Sequence, residues 1–295
     1  MAASKKRVAG AMIGAGVMRL EPGRWWRGFG TALFLSLIGL GGTAMAVTIF
    51  PLISLLTRDP LRRQQRVLYA IHLSFRLYCA AIRKMGIARI DWVGADKLRQ
   101  LQGAMIVANH PSLLDVVMIM AATPNVQCIV KAALWRHPFF RLTVGGAGFL
   151  RNDLEPEALL SACAQALAEG RNLIVFPEGT RTEPGRNPVL RRGFANLATL
   201  TRCRVQVLTI TCEPPTLFKG NPWWRVPAKQ SHFRLEVGEV IDTVPLLEGQ
   251  HRSVAARRLV TYLDNFYAEK LSDGHAGKRV EDPDHRGAEA GRHRA

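Results

Sequence analysis

Residues 109–115 read NHPSLLD, and this stretch lies between two apolar runs of different length. The run before it, 104–108, has the length of a buried strand, whereas the run after it, 113–122, is long enough for a helix. His110 is therefore predicted on a tight connection from strand to helix, where Pro111 fixes one backbone dihedral. Asp115 is predicted in the first turn of that helix.

An imidazole beside a helix start can act as a general base when a carboxylate orients it. Asp115 is spaced to accept a hydrogen bond from one ring nitrogen of His110 and to leave the other nitrogen free for a proton. Ser112 and Asp115 are also spaced like a helix cap and its first-turn acid, which requires no catalysis. The pair alone does not separate these two interpretations.

A second stretch, residues 175–181, reads VFPEGTR. It closes the apolar run 172–176, a predicted strand, and opens a loop rich in proline and glycine. Two strands that each end in a polar loop are typical of the active site of an α/β protein, because the carboxyl ends of such strands meet at one edge of the sheet.

Together, NHPSLLD at 109–115 and FPEGTR at 176–181 resemble the motifs of the glycerolipid acyltransferase family, which includes the bacterial 1-acyl-glycerol-3-phosphate acyltransferases. The resemblance implies an enzyme of phospholipid biosynthesis. It would move an acyl chain from acyl-CoA or acyl-carrier protein to the hydroxyl of a lysophospholipid such as 1-acyl-glycerol-3-phosphate. It implies no cofactor and no metal.

The resemblance also implies which residues act. His110 and Asp115 are the expected catalytic pair, with His110 removing the hydroxyl proton and backbone donors near the helix start stabilising the oxyanion. Glu178, Gly179 and Arg181 are expected to position the acceptor. The complete set expected to bind substrate is Asn109, Ser112, Lys131, Arg151, Glu178, Gly179, Thr180 and Arg181, of which Asn109 and Ser112 also shape the loop.

One segment departs from the family pattern. Residues 148–152 read GFLRN, so Asn152 stands where the family has arginine and Arg151 comes one place early. In a strand, one place turns a side chain to the other face. Either a bulge restores Arg151 or the site works without that arginine. An acyltransferase for a specialised acceptor without glycerol phosphate therefore stays an alternative.

The charge distribution favours a membrane over nucleic acid. The net charge is +17, and residues 1–66 contain ten basic and two acidic residues. Such a chain suits either nucleic acid or anionic lipid, but here the charges flank a long apolar run. The expected partners are membrane lipids, and no nucleic acid. Five cysteines without a Cys-x-x-Cys pattern suggest buried, reduced thiols in a protein that faces the cytosol.

Residues 28–56 contain no charge, and Trp25 and Trp26 stand at their edge as an interfacial belt would. As a helix this run would measure about 43 Å, against about 30 Å of hydrocarbon. Gly39, Gly41, Gly42 and Pro51 are expected to interrupt it. Three alternatives stay open: one tilted transmembrane helix, a re-entrant pair of half-helices bent at the glycines, or a signal peptide cleaved near residues 44–46. The expected location is the inner membrane, with the catalytic domain facing the cytosol.

Five segments follow: a basic tail (1–27), a membrane-embedded segment (28–57), a basic amphipathic helix (58–86), a catalytic domain (87–271) and a disordered tail (272–295). Asp59 and Pro60 are expected to start the helix of the third segment. In the fourth, strands are expected at 126–130 and 147–150 and a helix at 135–143. The alternating strand and helix patterns predict an α/β fold, with a mixed sheet covered by helices on both faces and a membrane-anchoring helical segment before it.

Other functional classes have weaker support. No Gly-x-Ser-x-Gly suggests a serine hydrolase, and no histidine or cysteine cluster has metal-ligand spacing. A thioesterase stays open, because it would use the same thioester without an alcohol acceptor. A non-catalytic membrane-binding protein with the same fold also stays open.

Overall fold

The computed structural model describes the backbone of residues 22–276 and the side chains of residues 23–272. The α-helices in this part of the chain are α1 Pro22–Val47, α2 Ile49–Leu56, α3 Pro60–Lys84, α4 Ala95–Arg99, α5 Asp115–Ala122, α6 Ala132–Arg136, α7 Arg141–Gly146, α8 Pro156–Ala168, α9 Gly193–Thr201 and α10 Arg252–Ala276. The strands are β1 Ala88–Val93, β2 Met105–Ala108, β3 Val126–Val130, β4 Leu150–Arg151, β5 Asn172–Val175, β6 Arg204–Glu213 and β7 Ser231–Asp242.

These strands form one sheet in the order β1-β7-β6-β2-β5-β3-β4. Neighbouring strands are parallel, except that β6 and β7 run antiparallel. The sheet is therefore mixed, which confirms the predicted fold class. Because β2, β5 and β6 are parallel, the loops after their carboxyl ends share one edge of the sheet. His110 follows β2, and residues 176–181 follow β5.

Helices cover both faces of the sheet, and β2 shows how the sequence achieves this. Side chains alternate along a strand. Ile106 and Ala108 pack into one core with α3 and α5, whereas Met105 and Val107 pack into a second core with α8, α9 and α10. A strand buried on both faces has no polar side to alternate with, which is why the sequence shows a continuous apolar run there.

The start and end of α3 follow the local sequence signals. The carboxylate of Asp59 accepts hydrogen bonds from the N–H groups of Leu61 at 3.2 Å and Arg62 at 3.4 Å, and Pro60 occupies the first helical position. Gly86, at a φ of +70°, follows the last turn.

The apolar run is folded as α1 and α2. Within the described residues, one helical stretch, Gly23–Leu56, is long and apolar enough to cross a membrane. The helix is interrupted at Thr48, because Pro51 has no N–H for the carbonyl of Val47 and its ring crowds that carbonyl. The expected interruption at Gly39, Gly41 and Gly42 is not found, since all three lie inside α1, whereas the one expected at Pro51 appears one turn earlier in the chain.

The first helix packs against the α/β domain near both of its ends. A Cβ on Gly30 would lie 2.1 Å from Cδ1 of Ile87, so the glycine permits this close approach. Further along, Thr43 donates a side-chain hydrogen bond to the carbonyl of Phe139 at 2.7 Å. These contacts join α1 to the domain that carries His110.

Some predicted boundaries differ from the structure. The predicted helix at 135–143 is two short helices, α6 and α7, because Pro138 cannot continue the first. The predicted strand at 147–150 is shorter in the structure, where β4 comprises only Leu150 and Arg151. The predicted basic tail lies mostly outside the described residues, but α1 already begins at Pro22, and α10 continues to Ala276 into the segment expected to be disordered.

Candidate active site

His110 and Asp115 form a buried hydrogen-bonded pair at the carboxyl end of β2. Nδ1 of His110 lies 2.8 Å from Oδ2 of Asp115, and the same oxygen accepts the N–H of Ser112 at 2.8 Å. The Asp115 side chain is fully buried, while 16% of the His110 side chain is exposed. Asp115 begins α5, so the helix fixes the carboxylate and the carboxylate fixes the ring.

The ring of His110 is held from a second direction. It stacks on Phe176, with 4.0 Å between ring centroids and 18° between ring planes. Because Nδ1 faces Asp115, a neutral ring that donates its Nδ1 hydrogen keeps a lone pair on Nε2. Within the described part of the chain, Nε2 has no hydrogen-bond partner. The pair thus leaves one ring nitrogen available to accept a proton.

Burial and the neighbouring groups have opposite effects on the pKa of Asp115. Burial raises the pKa of this carboxyl, whereas the hydrogen bond and charge of His110, the N–H of Ser112 and the charge of Arg181 oppose the rise. Its second oxygen, Oδ1, is buried without a hydrogen-bond partner among the described residues. A positive charge on the imidazole therefore stabilises this buried carboxylate more than a neutral ring does.

Glu178 joins the two sequence motifs to each other. Its Oε1 accepts the backbone N–H of His110 at 3.0 Å, and the Thr182 hydroxyl donates to the carboxylate at 2.7 Å. The N–H of Thr182 in turn donates to the carbonyl of His110 at 2.7 Å. Glu178 is buried, and burial raises the pKa of its carboxyl. Its oxygens therefore hold the His110 loop, and its expected part in positioning the acceptor stays a prediction.

Asn109 and Ser112 also act on the protein itself. The Asn109 amide accepts the N–H of Ile210 at 2.7 Å and donates to the carbonyl of Ile210 at 2.8 Å, which fastens the end of β2 to β6. The Ser112 hydroxyl donates to the carbonyl of Thr216 at 3.0 Å. Both side chains are buried. The expected loop-shaping role fits this geometry, and direct substrate contact does not.

Arg181 and Gly179 lie at the same sheet edge. Nη1 of Arg181 donates to the carbonyls of Leu217 at 2.7 Å and Phe218 at 3.4 Å, and its charge lowers the pKa of Asp115. Gly179 has a φ of +71°, which favours glycine, and a Cβ there would lie 3.4 Å from Nε of Arg191. Thr180 is half-buried between Gly179 and Arg181.

Lys131 and Arg151 are not joined to this cluster. Lys131 is exposed at the start of α6. Arg151 donates to both carboxylate oxygens of Asp153, at 2.9 and 2.8 Å, and Oδ1 of Asn152 accepts the N–H of Ala132. The β3–β4 pairing is regular from Ile129 to Val130, so it contains no bulge that would restore Arg151 to the family position.

Two supporting residues were missed by sequence reasoning. Phe176 belongs to the second motif, but its stacking on His110 was not foreseen. The buried hydroxyl of Tyr267, on α10, lies 3.0 Å from the carbonyl of Val107 and 3.1 Å from that of Leu208. No local pattern could place Tyr267 there, because 160 residues separate it from Val107.

The backbone N–H groups of the loop that carries His110 already have hydrogen-bond partners. The N–H of His110 bonds Glu178, that of Ser112 bonds Asp115, and that of Leu113 donates to the carbonyl of Leu217 at 3.1 Å. The expectation that these donors stabilise an oxyanion therefore does not fit the loop. Within the described residues, no group of three or more histidine, cysteine or acidic side chains could hold a metal ion.

Comparisons with known proteins agree with this geometry. A family model described as Acyltransferase matches residues 89–213. The chain is 32% identical over 138 residues to 1-acyl-sn-glycerol-3-phosphate acyltransferase of Helicobacter pylori, covering 45% of this chain and 58% of that protein. It is 30% identical over 115 residues to the Cocos nucifera protein of that name, covering 37% of each chain. The chain thus spans less than two thirds of these relatives' length.

One solved structure has a similar fold over most of this chain. The crystal structure of the 1-acyl-sn-glycerophosphate acyltransferase PlsC from Thermotoga maritima aligns with a TM-score of 0.64 at 20% identity, covering 84% of this chain and 98% of that one. The matched residues 89–213 include both motifs, the His110–Asp115 pair and Arg181. Over these residues, the chain is similar to the acyltransferase family.

Proposed function

We propose that this protein transfers an acyl chain from a thioester, acyl-CoA or acyl-carrier protein, to the hydroxyl of a lysophospholipid such as 1-acyl-glycerol-3-phosphate. The observation that carries the proposal is the 2.8 Å contact between Nδ1 of His110 and the buried Asp115, which leaves Nε2 free. A non-catalytic protein would have no need for this oriented base.

The reaction needs no covalent enzyme intermediate. Nε2 of His110 takes the proton from the acceptor hydroxyl while that oxygen attacks the thioester carbonyl carbon. The carbon–sulfur bond then breaks, the ester remains on the acceptor, and the thiolate leaves and takes the proton back from the imidazolium. Asp115 stabilises the imidazolium between these two transfers, because its buried charge is compensated by the positive ring.

Arg181 is the cation best placed for an anionic acceptor or a developing oxyanion. Two carbonyls fix its Nη1, and the rest of the planar guanidinium can bind a phosphate. Arg191 is exposed beside Gly179 and could add a second positive charge. Arg151 is paired with Asp153 and Asn152 is neutral, so the acceptor site has fewer arginines than the family pattern.

That difference supports a second candidate, an acyltransferase whose acceptor lacks glycerol phosphate. Initial rates with acyl-CoA and with acyl-carrier protein, each measured with lysophosphatidic acid, a phosphate-free lysolipid and no acceptor, separate the candidates. The first proposal expects an ester product with lysophosphatidic acid preferred. Preference for the phosphate-free lysolipid would support the second candidate, and thioester hydrolysis without any acceptor dependence would indicate a thioesterase.

The helices support placement on a membrane surface. The exposed face of α1 carries apolar side chains about one turn apart, and α3 repeats this pattern: Phe29, Leu33, Leu37 and Leu40 on α1, and Tyr69, Leu73 and Leu77 on α3. Because α1 contacts the catalytic domain near both ends, a position along the membrane surface fits better than an upright span. The same packing favours a retained helix over a cleaved signal peptide. The inner membrane, with the site facing the cytosol, is the location that we propose.

A further inference from the structure

The loop that joins β6 to β7 carries two exposed tryptophans next to the candidate site. Trp223 is 46% and Trp224 64% exposed, and their rings meet edge to face with 5.6 Å between centroids. Residues 214–230 contain Lys219, Arg225 and Lys229 and no acidic residue. Exposed tryptophan beside basic side chains is the composition found at the level of lipid head groups.

This loop presents its tryptophans from a fixed turn. The N–H of Arg225 donates to the carbonyl of Pro222 at 3.0 Å, and the N–H of Val226 donates to the carbonyl of Trp224 at 3.0 Å. Val226 is buried under α1, where its Cγ2 lies 3.9 Å from the position of a Cβ on Gly28. The exposure of the two rings is therefore a feature of the folded turn.

The first turns of α1 hold the same loop. Nε of Arg24 donates to the carbonyl of Val226 at 3.0 Å, and Nη2 of Arg27 donates to the carbonyls of Pro227, at 3.3 Å, and Ala228. Trp25, which lies between these arginines, is itself exposed. Two exposed tryptophan clusters, one on the helix and one on the loop, are thus tied to one end of α1.

We propose that the loop 214–230 is a second lipid-contacting element, with Trp223 and Trp224 among the head groups of the leaflet that α1 contacts. Its positive charge selects anionic lipid, because polybasic segments are attracted to the negative surface potential of a membrane. This inference rests on the membrane contact of α1 proposed above, but it does not depend on acyl transfer.

The loop also reaches the site. The carbonyls of Leu217 and Phe218 accept from Arg181, and that of Thr216 accepts from Ser112. A loop seated on the leaflet would hold these carbonyls, and with them Arg181, at the surface from which a lipid acceptor enters. The proposal therefore gives the site a fixed orientation towards its substrate.

The test uses the full chain in vesicles of phosphatidylglycerol and phosphatidylcholine, with an environment-sensitive fluorophore on Trp224→Cys. All five native cysteines are buried, so the introduced thiol is the one that reacts. Lipids carrying a spin label near the head group quench fluorophores at that depth. Leu37→Cys on α1 reports membrane contact, and Tyr262→Cys on α10, against the other face of the sheet, is the matched control.

We expect the spin-labelled lipid to quench fluorophores at positions 224 and 37 but not at position 262. Quenching at 37 with none at 224 would overturn the loop proposal and leave the α1 placement intact, whereas no quenching at 37 would overturn both. The double variant Arg225→Gln/Lys229→Gln should weaken loop contact roughly fivefold per charge. Lys219 is kept, because its ammonium already lies 3.8 Å from the carboxylate of Glu183. Equal quenching at 224 in phosphatidylcholine alone would overturn the selection of anionic lipid.

Discussion

Glu178 accepts the backbone N–H of His110 at 3.0 Å, although 68 residues separate them in the chain. This bond joins the loop after β2 to the loop after β5. The two motifs are therefore one structural unit, in which the buried carboxylate of Glu178 sets the backbone from which the His110 ring projects.

The structure predicts a pH-dependent stability for this unit. Burial raises the pKa of Glu178 above its ordinary value of 4.5, so the folded protein binds the proton more tightly than the unfolded chain does. The contribution of Glu178 is therefore most favourable below pH 4.5 and declines as the pH rises through its folded pKa. Glu178→Gln should remove this decline, since the amide oxygen still accepts the N–H of His110.

Chemical denaturation between pH 4 and pH 8 measures the effect. The free energy of unfolding of Glu178→Gln relative to the native chain should rise with pH across that window. Glu178→Ala should be less stable than the native chain by about 1–3 kcal/mol, because it leaves the His110 N–H and the Thr182 hydroxyl without their acceptor. A difference between Glu178→Gln and the native chain that stays constant with pH would contradict this account of Glu178.

Arg181 is predicted to decide the use of a phosphate-bearing acceptor. A charge-assisted contact contributes about 1.5–3 kcal/mol, so Arg181→Ala should reduce kcat/KM for lysophosphatidic acid by roughly tenfold to a hundredfold. Arg151→Ala should change it little, because Asp153 already occupies that guanidinium. Arg151→Ala is thus the matched control.

Initial rates with lysophosphatidic acid and with a phosphate-free lysolipid test this prediction. Arg181 also holds the loop carbonyls, so thermal unfolding of Arg181→Ala must be compared with that of the native chain. Equal loss with both acceptors in a folded Arg181→Ala protein would mean that Arg181 does not recognise phosphate.

The exposed apolar face of α1 is predicted to hold the protein on lipid. Leu37→Glu/Leu40→Glu places two charges on that face, where transfer towards hydrocarbon is costly. More of this variant than of the native chain should leave membranes in a high-salt wash. Leu200→Glu, on α9 against the other face of the sheet, is the control and should sediment like the native chain. Equal release of all three proteins would contradict the membrane contact of α1.

Local signals in the sequence were sufficient for much of this fold. The capping acid Asp59 with Pro60 located the start of α3, and the apolar runs at 104–108 and 126–130 located β2 and β3. The His110–Asp115 pair also followed from local spacing, because a short loop and one helical turn bring the two side chains together.

Hydrogen bonds between residues distant in the chain could not be predicted from local sequence. Asn109 bonds Ile210, 101 residues away, and Glu178 bonds the His110 backbone, so their supporting roles depend on strand order. The apolar run contains four candidate positions for a break, Gly39, Gly41, Gly42 and Pro51, and only the structure shows that the helix breaks about one turn before Pro51. Local sequence does not show whether Arg151 occupies the family's arginine position, because only the register of β3 with β4 shows that no bulge turns its side chain.

The most direct test of the central claim is the turnover of a folded His110→Ala protein. A positioned general base contributes roughly 10²–10⁴-fold, and its loss should lower kcat by that factor with little change in thermal unfolding. Asp115→Asn should lose less, because the imidazole remains. Acyl transfer is measured as single-turnover ester formation on a lysolipid in vesicles, with circular dichroism as the check on folding. The account predicts a loss of at least about a hundredfold, and near-native ester formation by a well-folded His110→Ala protein would contradict it.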